Sequence, residues 1–168
     1  MTQKTIELRK NHLRDEFNCG NKVLDEYLKK QANQDVRKKL ARCFVVTDEP
    51  NSFRVIGYYT LSAASVPRKL IPYDLEKKFP DAYVTIPAIL LGRLARDVAF
   101  ANQRLGEELL IDALYRSFLA SKELGTFAVV VDPIDQNAKK FYEKYGFIQL
   151  PDSGRMFLPM KSIEQLFN

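Results

Sequence analysis

The segment spanning residues 85–131 constrains the fold more than any other part of the chain. A mostly apolar, strand-like run at 85–98 leads into a polar loop at 101–104. A long amphipathic stretch at 105–124 follows, and then a fully apolar run at 127–131. Leu105, Leu109, Leu110, Ala113, Leu114 and Phe118 recur at three-and-four spacing, which places them on one stripe of a helix. Gly125 stands where such a helix would stop. Two apolar strands joined through a helix form a parallel pair with a right-handed crossover. The helix must bury its stripe, so the segment predicts a sheet with helices packed on it.

The rest of the chain adds strands and helices around this unit. Residues 5–9 read as a short opening strand, and Asn18-Cys19-Gly20-Asn21 as a turn. Residues 23–40 read as an amphipathic helix with Val23, Leu24, Tyr27, Leu28, Gln31 and Ala32 on one face. Runs 42–48 and 55–64, separated by Glu49-Pro50-Asn51-Ser52, predict a hairpin. Pro67, Pro72 and Pro80 make 65–82 a loop with one short helical turn. Asp135 is placed to cap a helix running through Tyr145, with Gly146 as its stop. Runs 148–150 and 156–160 read as closing strands, and 162–167 as a terminal helical turn. The expected fold is α/β (α+β): a mixed, mostly antiparallel sheet with a central parallel βαβ unit and helices on both faces. All 168 residues are expected in one domain.

Composition excludes several function classes. Cys19 and Cys43 are too few for a disulfide framework and fit a reducing cytoplasm. With His12 as the lone histidine, neither a zinc site nor a His-based triad is expected. The N-terminal stretch is charged throughout, unlike a secretory signal, and no apolar run is long enough to span a bilayer. The net charge is +5, and Lys29, Lys30, Arg37, Lys38, Lys39 and Arg42 lie close together. That clustering is compatible with a polyanionic partner and equally with a solvated surface.

Two segments carry candidate chemistry. The loop Ala101-Asn102-Gln103-Arg104-Leu105-Gly106 leaves a strand and opens a helix, where unpaired backbone N–H groups and the helix dipole favour an anion. In the segment from Asp135 to Phe147, Ala138, Phe141, Tyr142 and Tyr145 share a helix face. Such a stripe reads as core packing or as a site for a functional tyrosine.

Together these elements resemble the GNAT acetyltransferases over nearly the whole chain. Leu94-Ala95-Arg96-Asp97 followed by Gly106-Glu107-Glu108-Leu109-Leu110 is similar to the family's pyrophosphate-binding motif. Asn137, Phe141-Tyr142 and Gly146-Phe147 are similar to its C-terminal signature. The stretches Phe17-x-Cys19-Gly20, Leu24-Asp25-x-Tyr27-Leu28, Gly57-Tyr58-Tyr59-x-Leu61 and Leu91-Gly92-Arg93-Leu94-Ala95 resemble the GNAT toxins of type II toxin–antitoxin modules. Those toxins acetylate the α-amine of aminoacyl-tRNA and block translation, and a ribbon-helix-helix antitoxin neutralises them.

The resemblance implies acetyl-CoA as cosubstrate, no metal, and transfer without a covalent enzyme intermediate. Backbone groups of Leu94, Ala95 and Arg96 would pair with the pantetheine arm. Amides of Gln103, Arg104, Leu105, Gly106 and Glu107 would cradle the pyrophosphate. Asn137 would contact the pantetheine or acetyl region with Phe141 packing beside it, and Tyr142 would protonate the leaving thiolate. Lys29, Lys30, Lys38, Lys39 and Arg93 would face RNA, with Arg93 alternatively paired to Asp97. A homodimer is implied as well. Acceptor alternatives are a protein or small amine, and a non-catalytic binding module is the rival class. The loop departs from the family pattern: Ala101 stands where Gln or Arg is usual, and Arg104 where the first glycine is usual. An arginine there would obstruct or strain the loop, or swing outward and add a bond to CoA phosphate.

Overall fold

The computed structural model describes residues 4–168. In chain order they form β1 (Ile6–Glu7), α1 (Lys22–Glu26), a π-helical segment (Tyr27–Gln31), α2 (Ala32–Arg37), β2 (Arg42–Thr47) and β3 (Val55–Pro67). Next come a 3-10 turn (Arg68–Leu70), α3 (Tyr73–Glu76), β4 (Thr85–Arg96), a 3-10 segment (Val98–Gln103) and α4 (Leu105–Ser121). The chain closes with β5 (Ala128–Val131), α5 (Gln136–Lys144), β6 (Ile148–Gln149), β7 (Met156–Pro159) and α6 (Met160–Phe167). The strand order is β1-β2-β3-β4-β5-β7-β6, mostly antiparallel with one parallel pair, as the sequence leads one to expect. Contacts divide the chain into two units. One comprises the residues up to Ser62 with Leu91–Ala113, and the other Ala63–Leu90 with Leu114–Asn168, so the boundaries fall inside β3, β4 and α4.

The first unit is built on the β2–β3 hairpin, in register from Arg42↔Leu61 to Thr47↔Val55 with an irregularity at Val46/Thr47. Its core gathers Phe17, Tyr27, Leu28, Ala32, Cys43, Val45, Val55, Tyr58 and Ala95. Full burial of one side chain such as Leu28 contributes about 1.5–3 kcal/mol.

The helix expected at 23–40 is a broken one. Asn21 caps its start by accepting from Leu24 N–H at 3.1 Å. The backbone then widens so that Ala32 N–H bonds Tyr27 O, five residues back. Tyr27, Leu28 and Ala32 are buried, whereas Val23, expected on the same face, is 77% exposed. The helix ends at Arg37 through paired bonds, Lys39 N–H to Val36 O and Leu40 N–H to Asp35 O, around a left-handed Lys39 with φ 60°. This is the Schellman closure, with lysine at the position usually held by glycine.

Boundary differences elsewhere are smaller. β3 continues to Pro67, three residues beyond the expected end, and β4 stops at Arg96. α4 stops at Ser121 through tight bonds such as Lys122 N–H to Leu119 O, so Gly125 lies past the end and supplies no left-handed cap.

In the second unit, β5 pairs antiparallel with β7 from Ala128↔Pro159 to Val131↔Met156, and β6 flanks β7. Its core joins Val66, Ile71, Ile86, Ala88, Ala128, Val130, Leu150 and Phe157. Phe127 N–H donates to Pro87 O, so β5, only four residues long, flanks the first part of the twelve-residue β4.

Candidate functional site

In the first unit, the end of β4 is tied to the N-terminal turn. Asp97 is buried; one carboxylate oxygen accepts from Ala99 N–H (2.9 Å) and caps the 3-10 segment. The other accepts from Asn18 N–H (3.1 Å), and Val98 N–H returns a bond to Asn18 O (2.8 Å). Gly20, at φ +87°, allows the turn to close there. Asp97 is thus occupied, and Arg93 instead lies over the Tyr27 ring, 3.5 Å from its centroid.

The loop into α4 answers the question raised by Arg104. Its backbone is left-handed (φ 54°, ψ 23°), the conformation for which a glycine is ordinarily used. Its side chain, 76% exposed, folds onto Glu107, with Nε at 2.8 Å and Nη2 at 2.6 Å from Oε2. Lys4 similarly pairs with Glu108 at 3.0 Å. Both first-turn carboxylates, which would otherwise repel an anion at this helix end, thus carry cationic partners. A Cβ built on Gly106 would meet no heavy atom within 4 Å. That glycine is therefore not explained by internal packing, and the space above the first turn is open.

The Gly57-Tyr58-Tyr59 run on β3 has a physical reading too. A Cβ at Gly57 would come within 2.9 Å of Leu109 Cδ1, 3.0 Å of Val46 Cγ1 and 3.4 Å of Ala95 O, so the bare backbone lets α4 approach. Tyr58 donates to Leu24 O (2.7 Å) and holds α1. Tyr59 donates to Asp112 Oδ2 (2.6 Å). Asp112, 1% exposed on α4, also accepts from Thr5 Oγ1 (2.6 Å) and Lys4 N–H (2.7 Å). Sequence reasoning missed this hub. Its signal was an aspartate set among the apolar positions Leu109, Leu110, Ala113 and Leu114.

The basic residues do not form one patch. Lys30 and Arg93 line a common open groove of ≈ 510 Å³, with Lys22, Val23 and Gln31. Lys30 is also paired with Glu26 at 2.5 Å. Lys29 is half-buried and does not line that groove. Lys38 and Lys39 lie exposed at the helix end beyond it.

In the second unit, α5 carries the other candidates. Asp135 caps it by accepting from Ala138 N–H at 2.8 Å. It ends with Gly146 N–H on Glu143 O and Phe147 N–H on Tyr142 O, around Gly146 at φ +91°. This Schellman closure is completed by ring contact of Tyr142 with Phe147 at 5.2 Å. The Tyr142-x-x-x-Gly146-Phe147 spacing is therefore a helix stop that also fixes the tyrosine. Phe141 packs edge-on against Tyr142 at 5.3 Å and against Tyr145 at 5.2 Å, while Asn137 is exposed on the first turn. Burial pushes the Tyr142 phenol well above its ordinary pKa. Its hydroxyl makes no hydrogen bond among the described residues.

Neither thiol is a nucleophile at neutral pH. Burial, then a hydrogen bond with Asp25, pushes Cys19 up to about 11, and burial pushes Cys43 up to about 12. His12 accepts from Arg9 N–H through Nδ1 at 2.8 Å, and burial lowers its pKa, so it is neutral. No helix among the described residues is long and apolar enough to cross a membrane.

A mostly antiparallel sheet with one parallel pair is the architecture of the GNAT class, and this chain is an N-acetyltransferase of that class. No family model matches the chain. A tRNA-acetylating toxin of Mycobacterium tuberculosis (strain ATCC 25618 / H37Rv) is 34% identical over 151 residues, covering 89% of this chain and 87% of the relative. AtaT complexed with acetyl-methionyl-tRNAfMet superposes with a TM-score of 0.89 at 30% identity, covering 99% of this chain and 100% of that one. A tyrosine-to-phenylalanine mutant of the AtaT toxin, bound to the C-terminus of the antitoxin AtaR and acetyl-CoA, gives a TM-score of 0.81 at 28% identity. It covers 98% of this chain and 97% of that one. The chain belongs to the family of tRNA-acetylating GNAT toxins.

Proposed function

We propose that this chain is a toxin that takes an acetyl group from acetyl-CoA and places it on the α-amine of aminoacyl-tRNA, blocking translation. Family membership supports the reaction, and the buried Tyr142 side chain is the observation that carries its chemistry. A tyrosine phenol keeps its proton through the physiological range and can pass it to a departing thiolate.

The residues present fit the cosubstrate. The open space above Gly106 and the first-turn amides of α4 suit a pyrophosphate, held by Gln103, Arg104, Leu105, Gly106 and Glu107. Leu94, Ala95 and Arg96, beyond the part of β4 that β5 flanks, supply backbone groups for the pantetheine amides. Asn137 and Phe141 serve the acetyl end. Acetyl-CoA supplies the activated acyl group, and the chain positions the amine and provides the proton. Lys29, Lys30, Lys38, Lys39 and Arg93 face the RNA. The reading includes a single working domain, a homodimer in the cytoplasm and neutralisation by a ribbon-helix-helix antitoxin.

The test is incubation of the purified protein with labelled acetyl-CoA and a pool of charged tRNA. Label should appear on the RNA and be released by mild alkali as N-acetyl amino acid. Folded protein that binds acetyl-CoA yet transfers no label to any charged tRNA would overturn the reading.

A further inference from the structure

We propose that Arg93 is a stacking platform for an unpaired nucleobase of the acceptor RNA, and so a positioning residue rather than a phosphate contact. The proposal rests on the aminoacyl-tRNA reading above. The guanidinium carbon sits over the Tyr27 ring, 3.5 Å from its centroid, well inside cation–π range. Tyr27 is itself fixed at two points, and its ring partner Tyr58 at a further one. Its hydroxyl donates to Asp35 Oδ2 (2.8 Å), its ring stacks on Tyr58 (6.3 Å, 17°), and Tyr58 meets Phe17 edge-on (5.6 Å). The result is a column, Phe17–Tyr58–Tyr27–Arg93, that begins in the core and ends in a planar cation.

That last plane borders the ≈ 510 Å³ groove, beside the apolar Val23 and the cations Lys22 and Lys30. A cationic end plate in a groove lined by Lys22, Lys30 and one acidic residue, Glu26, which pairs with Lys30, matches a single-stranded base flanked by phosphates, because guanidinium planes and aromatic rings stack on any base. A simple phosphate ligand would not need its guanidinium held over a ring. The Tyr27 column removes the rotamer freedom that a base would otherwise have to restrain.

The experiment uses a short RNA hairpin with an unpaired 3′ tail carrying 2-aminopurine, titrated into the full chain. Stacking quenches the fluorophore in the wild type, and Arg93→Lys, which keeps the charge and loses the plane, should relieve the quench and weaken binding about tenfold. The slope of log K against log salt should stay the same for Arg93→Lys. It should fall by about one for Lys22→Gln, a charge control in the same groove. Unchanged quench and affinity in Arg93→Lys, or a loss that appears only as a reduced salt slope in Arg93→Gln, would overturn the proposal. A loss seen with aminoacylated but not uncharged RNA would overturn it too, assigning the groove to the amino-acid side chain. Wild-type protein that binds no RNA would overturn the acceptor reading as well, which separates the two failures.

Discussion

Arg104 enters α4 in the left-handed conformation with its guanidinium folded onto the carboxylate of Glu107, three residues on. The backbone position favours glycine by about 1 kcal/mol, whereas an exposed ion pair returns a few tenths. Arg104→Gly is therefore expected to melt at or above the wild-type temperature. Arg104→Ala, which keeps the strain and loses the pair, should melt below it. Calorimetric melting of the three proteins checks the order Gly, Arg, Ala.

The same pair predicts an electrostatic effect on ligand binding. Arg104→Gly removes the guanidinium that pairs with Glu107 beside the expected pyrophosphate, so acetyl-CoA should bind about threefold more weakly at low salt. Adding Glu107→Gln should restore the affinity. Isothermal titration of both variants decides it: an Arg104→Gly protein that binds more tightly than wild type would show that the arginine obstructs the cradle.

Tyr142 carries two linked expectations. Tyr142→Phe should lower kcat by about a hundredfold or more while leaving acetyl-CoA affinity within about twofold. Burial raises the phenol pKa, so the protonated acid form persists to higher pH than for a free tyrosine. The kcat profile should thus show no descending alkaline limb from this group below about pH 10. A limb near neutrality that survives in Tyr142→Phe would assign the acid elsewhere.

Asp112 joins Thr5, Lys4 and Tyr59 to α4 inside the first unit. Asp112→Asn turns one acceptor oxygen into a donor facing donors, and should cost about 2 kcal/mol or more. Gly57→Val should be worse than Gly57→Ala, since Leu109 Cδ1 yields more readily than the Ala95 carbonyl behind it. Chemical denaturation midpoints measure all three.

Much of this architecture was legible in the residues themselves. The apolar stripe of α4 and the two runs around it gave the crossover, because burial imposes its period directly on sequence. The end of α5 was legible because glycine marked it. The end of α2 was not: Lys39 takes the same left-handed position, and nothing in a lysine announces that. Val23 was misplaced for a related reason, since three-and-four spacing assumes a regular helix and α1 leads into a π turn. Arg104 was visible as a departure, yet only the backbone shows that the conformation was kept while the residue changed. Arg93 was legible as a cation, but its plane depends on Tyr27, reached through tertiary packing.

The π turn between α1 and α2 has one more consequence. A π turn amounts to a single residue inserted into an α-helix. Tyr27 and Asp35 are eight apart in sequence, yet their side chains meet as residues seven apart would on a regular helix. Deleting one residue at Gln31 would restore uniform winding and leave Tyr27 seven from that aspartate, so the contact could survive the shorter count. Asp35 already stands where the seventh residue of a regular helix would stand, so α2 would keep its place relative to Tyr27. The π turn thus absorbs one extra residue locally, and its loss should be tolerated better than a deletion inside α2.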